Sequence, residues 1–302
     1  MPDGRHAFAA EGTFLRGNLH THSTRSDGAR EPAAVCAFYR DAGYDFLCLS
    51  DHFLSAYGFP ITDTTGERTN RFTTILGAEV HAGKNSQGEI WHILAVGLPA
   101  DFAPTAPDES GEALAARAKA AGAFVAIAHP QWSSLTAEDG RSMAPHVHAV
   151  EVWNTSCALE TARPDGTAFL DALLNEGQRH LTVYAADDAH FHVADAGHAA
   201  VMVKATENQP EAILAALKAG HTYATTGPLI HAVAVDGDHI VARTSEVAAI
   251  ALVGRGSRAD TVAGTNLTEA RLPTAKYAGD WCRLVAMDTA GRTAWTNPIF
   301  PA

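Results

Sequence analysis

The sequence predicts an α/β protein that closes as a barrel and carries a small all-β module at its C-terminal end. Three observations predict it. Candidate strands and helices alternate over about 220 residues. Strand after strand ends in His or Asp, and a barrel is what brings many strand ends to one mouth. The texture then changes at Gly227-Pro228, beyond which apolar residues alternate without helical spacing. An open doubly wound sheet would carry a Gly-rich phosphate turn after its first strand, and the chain has neither GxGxxG nor a Walker pattern.

Element by element, Phe14 and Leu15 open a short strand that runs into Gly17-Asn18-Leu19-His20-Thr21-His22 and the loop Ser26-Asp27-Gly28. Alternate residues of a strand share a face, so His20 and His22 point the same way. Glu31 to Gly43 reads as a helix, with Pro32 in its first turn and Gly43 to end it. Tyr44 to Leu49 is a buried strand delivering Ser50-Asp51-His52. Phe72 to Leu76 is a strand with Glu79 after it, and Ile90 to Gly97 another, carrying His92. A helix over Glu112–Ala121 precedes the strand Phe124–Ala128, which ends at His129. Ala149 to Trp153 is a strand ending at Asn154. The helix Ala168–Glu176 leads to the strand Thr182–Ala186 and then Asp187-Asp188-Ala189-His190. A strand over 199–204 and a helix over 209–219 complete this part, with Thr225-Thr226-Gly227 as the turn leaving it.

Residues 1–227 are therefore expected to form the barrel and 228–302 the β module, sandwich-like and opening with a hairpin at Asp236-Gly237-Asp238. Further short strands fall at 248–253, 269–272, 282–287 and 292–295.

The chain has 302 residues, 46% hydrophobic and 19% charged, with a formal net charge of −12. That balance provides ample core and argues against non-specific binding to nucleic acid or to anionic membranes, which need basic surface. No apolar run reaches the length of a membrane span. Four scattered cysteines form no CxxC, and Met1 to His6 lack a secretory pattern, so a soluble cytoplasmic protein is expected. A homo-oligomer is left open.

The chemistry is carried by imidazoles and carboxylates gathered at strand ends. This donor set suits Zn, Mn or Fe better than Ca or Mg. A bridging carboxylate can hold two cations close enough to share a water and lower its pKa. No Ser-His-Asp or Cys-His order competes.

In order along the chain, His20-x-His22, Ser26-Asp27-Gly28, Ser50-Asp51-His52, Gly77-Ala78-Glu79, His92-Ile93-Leu94, Ala128-His129-Pro130 and Asp188-x-His190 resemble the PHP (polymerase and histidinol phosphatase) metallohydrolases over residues 14–226. Asp187-Asp188-Ala189-His190, Glu151-Val152-Trp153-Asn154 and Trp295-Thr296-Asn297-Pro298-Ile299 are similar, more loosely, to the carbaryl-hydrolase-like (CehA/McbA) branch. The resemblance implies a distorted (β/α)7 barrel with two to three divalent metal ions. His20, His22, Glu79 and Asp188 would hold one ion. Glu79 would bridge to a second, held by His92 and His129, and Asp27, His52 and His190 would hold a third. His81, two residues after Glu79, is an alternative to His92.

Asp51 and Asp187 adjoin ligands and would orient them. Arg25 is the best-placed cation for a substrate phosphate, ahead of Lys84, Arg163 and Arg179, and Asn154 is a candidate substrate contact. The expected activity is hydrolysis of a small-molecule phosphate ester, mono- or diester, by a metal-activated hydroxide. The alternatives are a carbamate, ester or amide hydrolase at the same site, or a non-catalytic metal-binding module.

Overall fold

The computed structural model describes residues 3–4 and 6–301. Its elements run α1 (His6–Ala9), β1 (Thr13–Asn18), α2 (Pro32–Asp41), β2 (Phe46–Leu49), β3 (His52–Phe53), β4 (Thr73–Lys84), β5 (Ile90–Val96), α3 (Gly111–Ala120) and β6 (Phe124–Ile127). Then come α4 (Ala137–Met143), β7 (Ala149–Asn154), α5 (Thr155–Thr161), α6 (Thr167–Asn175), β8 (Thr182–Ala186), β9 (Ala200–Ala205), α7 (Pro210–Ala219) and β10 (Thr222–Thr225). The C-terminal part holds β11 (Ile230–Asp236), β12 (His239–Gly254), β13 (Ala259–Pro273), β14 (Cys282–Met287) and β15 (Thr293–Thr296).

This is a mixed α/β fold built on one large sheet, hydrogen-bonded in the order β11-β12-β14-β15-β10-β9-β1-β2-β4-β5-β6-β7-β8. Within β1 to β8 the pairs β1/β2, β2/β4, β6/β7 and β7/β8 are parallel, while β5 runs antiparallel to both β4 and β6. Just past their ends β1 and β8 meet in a parallel bridge between Thr21 and Ala189.

Period-two alternation decides which side chains reach the interior. Phe46, Cys48, Ile75, Leu94, Phe124, Ala126, Tyr184 and Ala186 share one buried cluster with Ile213 and Leu217 of α7. The intervening residues face the other way. Ile93, Val125, Ile127 and Val183 pack with Leu114, Leu170 and Leu173 of the helices, and Leu47 and Leu49 pack with Val35 and Tyr39 of α2.

Several boundaries differ from the expected ones. Glu79 does not follow its strand but lies within it, because β4 runs on to Lys84 and pairs there with both β3 and β5. Thr222–Thr225, expected to lead into a turn, is a buried strand between β9 and β15. Helices α4 and α5 were not anticipated. The capping box of Thr136 and Asp139 was a visible start signal for α4.

After Gly227 the strands β11 to β15 form one antiparallel hydrogen-bonded array, in which the long β12 slips register around Val247 to serve different neighbours at its two ends. The array joins the rest through β15 on β10. Asn297, fully buried, staples the junction: its Oδ1 accepts from Val183 N, and its Nδ2 donates to Gly220 O and Thr222 O. Arg283 adds a two-pronged pair with Asp171 of α6. Among the described residues no helix is long and apolar enough to cross a membrane.

Candidate metal centre

Parity brings the ligands together. Glu79 and His81 lie on the same face of β4 as Ile75, and His92 on the same face of β5 as Leu94, so all three point inward above the interior cluster. His81 and His92 are directly paired across the two strands. On β7, Glu151 shares the inward face with Ala149, and Asp188 continues the inward face of Ala186 beyond β8.

The loop after β1 is pinned to the loop after β8. Asp187 N donates to Asn18 Oδ1, Asp188 N to His20 O, and His22 N to Ala189 O. Gly28 lets the Asp27 loop lie flat on it, since a Cβ there would sit 2.6 Å from the backbone carbon of His22.

Glu79 is the hub. Its Oε1 lies 2.8 Å from His92 Nδ1, 3.1 Å from His129 Nε2 and 3.5 Å from His20 Nε2; its Oε2 lies 2.6 Å from His52 Nδ1 and 3.8 Å from His22 Nε2. Asp188 Oδ1 is 2.9 Å from His22 Nε2 and 3.1 Å from His20 Nε2. Asp27 reaches His52 Nε2 at 3.3 Å and His190 Nε2 at 3.6 Å. All nine expected ligands thus converge, and their donor atoms form overlapping groups within 4.8 Å. His81 joins them, with Nε2 2.9 Å from His52 Nδ1 and Nδ1 3.2 Å from Trp91 O. Both histidines of the expected alternative therefore face Glu79.

Three of these atoms, His20 Nε2, His22 Nδ1 and Glu79 Oε2, are buried without a hydrogen-bond partner. An unpartnered buried polar atom is costly, and here the three belong to residues that converge on a common space. A divalent cation fits that arrangement. The charge states fit it too. Burial works against ionisation of Glu79, but the imidazoles of His92, His52 and His20 hold its carboxyl well below the usual range. Asp188 is held low in the same way by His20 and His22. Burial, with His52 and His190 alongside, pushes His22 down to about 4, leaving it neutral at pH 7. Burial also works against charge on His52, but Glu79 and Asp27 outweigh it and raise it to about 10. The ionised carboxylates and neutral His22 are already in the forms that bind metal, whereas His52 would have to give up its proton to an ion.

Two ligands sit on strained backbone. His129 has φ +23° and Asp188 φ +54°, a region that costs non-glycine residues about 1–3 kcal/mol. His129 is held there by a 2.6 Å hydrogen bond from its N to Glu151 Oε2, and Asp188 by the bond to His20 O.

The remaining expected site residues lie around the cluster. Asp51 faces away, accepting from Ser23 N and from the hydroxyls of Ser23, Ser26 and Thr62. Asp187 also faces away, accepting from Gly197 N, His198 N, Ala199 N and the hydroxyls of Tyr39 and Thr155. Both brace the loops that carry ligands. Asn154 Nδ2 donates to Glu151 Oε2 and Asp188 Oδ2, and its Oδ1 caps α5 through Cys157 N. Arg25 is exposed, and its side chain is not among those lining the cavity beside the cluster.

That cavity, about 210 Å³, is lined by the candidate ligands Asp27, His52, His92, His129, Asp188 and His190 together with Trp132, Ser156, Cys157 and Glu160. The sequence reading assigned no role at the site to these last four, nor to Glu151 and Asn18 as positioners. A capped helix directly after the strand that carries Glu151 was the available signal for Ser156. A larger cavity of about 770 Å³ lies beyond α5, and the arginines lining it are engaged, Arg292 with Asp288 and Arg16 with Tyr44.

No protein-family model and no curated protein matches the chain. Among solved structures it is similar to a two-domain protein containing a predicted PHP-like metal-dependent phosphoesterase from Bacteroides vulgatus. That match has TM-score 0.51 and 17% identity, and it covers 87% of this chain and 86% of the other. A putative metal-dependent phosphoesterase from Bifidobacterium adolescentis matches at TM-score 0.44 and 17% identity, over 60% of this chain and 89% of its own. An amidohydrolase from Chromobacterium violaceum matches at TM-score 0.44 and 17% identity, over 60% and 90%. The first likeness is one of fold.

Proposed function

We propose that the protein is a metal-dependent hydrolase of small phosphate esters, built on a distorted seven-stranded PHP-type barrel. The observation that carries this reading is the convergence of nine candidate ligand side chains, Glu79 at their centre, with three of their buried polar atoms left without an aligned hydrogen bond. His20, His22, Glu79 and Asp188 would hold one divalent ion, Glu79 with His92 and His129 a second, and Asp27, His52 and His190 a third. Mn, Fe or Zn suits this donor set. Such ions, when bound, polarise the scissile group and make water a nucleophile at neutral pH. The Thr21–Ala189 bridge between the ends of β1 and β8 supports the barrel.

The chain's own residues position the ligands and shelter the site. Glu151 holds His20 through Nδ1 and His129 through its backbone N, and Asn154 steadies Asp188. In the reaction a P–O ester bond gives way to a P–OH bond, and the leaving oxygen takes up the proton that water releases. A second reading keeps the site and changes the bond to that of a carbamate, ester or amide. It is favoured by the cavity's lining, which includes no Lys or Arg to receive a phosphate.

Elemental analysis of the purified protein, followed by phosphatase and phosphodiesterase assays, tests the proposal. Two to three equivalents of metal with phosphoester turnover, both lost in His22→Ala, is the expected result. Full metal without such turnover selects the second reading. Less than one equivalent after reconstitution overturns both.

A further inference from the structure

The part of the cavity lining that belongs to none of the candidate ligands comes from the loop after His129 and from α5. Trp132 stands edge-on to His92 and His129, with centroids 5.4 and 5.0 Å away, and remains 40% exposed, so a face of the indole is open to the mouth. Ser156 is 3% exposed, and its hydroxyl, buried against this cavity, has no hydrogen-bond partner. Glu160, on the same helix, is exposed at the rim, and its carboxylate pairs with none of the described cations. None of these three is a metal ligand, and nothing in the fold needs them there: the Ser156 hydroxyl bonds nothing, and the indole gives up burial.

We infer that Trp132, Ser156 and Glu160 form the specificity wall of the enzyme. They select a substrate whose non-reacting part is planar and uncharged or cationic, and whose reacting group carries at most one negative charge. The inference rests on the metal-dependent hydrolase reading and deepens it. Each residue contributes a separate preference. The open indole face stacks a planar group. The Ser156 hydroxyl is a desolvated donor whose missing partner is an oxygen of the substrate. The Glu160 carboxylate, in a cavity without Lys or Arg, opposes the pull of the bound ions on a second negative charge. A phosphodiester or a neutral carboxyl or carbamoyl ester meets all three demands. A dianionic phosphate monoester meets two of them and is opposed by the third.

The test uses the full-length protein reconstituted with Mn, with metal content measured for every variant. Binding is followed by calorimetry with two probes that differ by one charge, phenylphosphonate and its monomethyl ester. Turnover is followed with 4-nitrophenyl phosphate and bis(4-nitrophenyl) phosphate. The wild-type protein is expected to bind the monoanionic probe more tightly and to favour the diester. Glu160→Gln should narrow both ratios several-fold. Trp132→Ala should raise KM for the diester about ten-fold with little change in kcat. Ser156→Ala should weaken the monoanionic probe about ten-fold, while its melting temperature stays at the wild-type value because the hydroxyl supports nothing in the fold.

Equal binding of the two probes by metal-loaded protein, or ratios unmoved in Glu160→Gln, would overturn the specificity wall and leave the hydrolase reading standing. A Ser156→Ala variant that binds normally but melts lower would reassign that hydroxyl to structure and overturn its part. Protein that holds less than one equivalent of metal would remove the hydrolase reading, and this inference with it.

Discussion

Glu151 Oε1 lies 3.2 Å from His20 Nδ1, both side chains fully buried, and this pairing turns His20 Nε2 toward Glu79 and Asp188. The second oxygen of the same carboxylate holds the backbone N of His129 in its strained conformation. One carboxylate on β7 therefore orients a ligand from β1 and another from β6.

Glu151→Gln keeps the shape of the side chain but loses the charge and one acceptor. Metal affinity is expected to fall about 10–100-fold, the usual consequence of removing such a partner, with an unchanged far-ultraviolet circular dichroism spectrum. Titration with a competing chelator measures it. An affinity within two-fold of wild type would show that Glu151 does not orient His20.

His92 and His81 are distinguished by what they touch. His92 Nδ1 is 2.8 Å from Glu79 Oε1 and its ring lines the cavity, whereas His81 Nε2 is nearer to His52 than to Glu79. His92→Ala is expected to lose about one equivalent of metal, and His81→Ala to keep the stoichiometry with weaker binding. Elemental analysis after dialysis against a fixed metal concentration decides between them. The reverse pattern would exchange their roles.

Asp187 accepts from three successive backbone N–H groups, Gly197 to Ala199, and from two hydroxyls. Asp187→Ala strands those donors, and a loss of about 3 kcal/mol in unfolding free energy is expected from urea denaturation. Metal stoichiometry at saturating metal should be retained, since Asp187 faces away from the cluster. Lost metal with wild-type stability would instead place it among the ligands.

The junction between β8, β10 and the C-terminal array depends on Asn297. Asn297→Ala leaves Val183 N without its partner and is expected to cost about 2–3 kcal/mol. The wild-type chain should unfold in a single calorimetric transition, because its sheet is unbroken from β11 to β8. Two well-separated transitions in the wild type would contradict that coupling.

His148 gives a pH dependence away from the metal centre. Burial, with the charge of Lys119 alongside, pushes its imidazole down to about 4, and its Nδ1 accepts from Val125 N. The unfolded chain therefore binds a proton near pH 6.5 that the folded chain does not take up until about pH 4. This contribution to stability is complete above pH 6.5 and is lost as the pH falls toward 4. Urea midpoints of wild type and His148→Asn are expected to converge over that window. Parallel pH profiles would remove His148 from the account.

The ligand residues were legible because metal binding demands particular chemical types, and strand-end His, Asp and Glu announce themselves one by one. The roles of Asp51 and Asp187 were harder to read. They adjoin the ligands His52 and Asp188 in sequence, but a strand sends neighbours to opposite faces. Phe46 and Cys48 against Leu47 and Leu49, continued in the same alternation to residues 51 and 52, already puts His52 inside and Asp51 outside. The same alternation from Tyr184 and Ala186 puts Asp188 inside and Asp187 outside. Glu79 was expected after its strand, but Gly77 does not end β4. It is instead a point of close approach, where a Cβ would sit 2.5 Å from Cys48 Sγ.

By itself the sequence determined the alternation of strands and helices, the change to an all-β texture at Gly227-Pro228 and the identity of the candidate ligands. Each of these is written in local periodicity or in side-chain chemistry. Only the tertiary structure decided that His81 reaches Glu79 as well as His92, that Glu151 serves His20 and His129 at once, and that Trp132, Ser156 and Glu160 line one cavity with the candidate ligands. These are relations between residues from 2 to 131 positions apart. They depend on register, on positive φ at His129 and Asp188, and on how loops fold over strand ends, none of which a local pattern encodes.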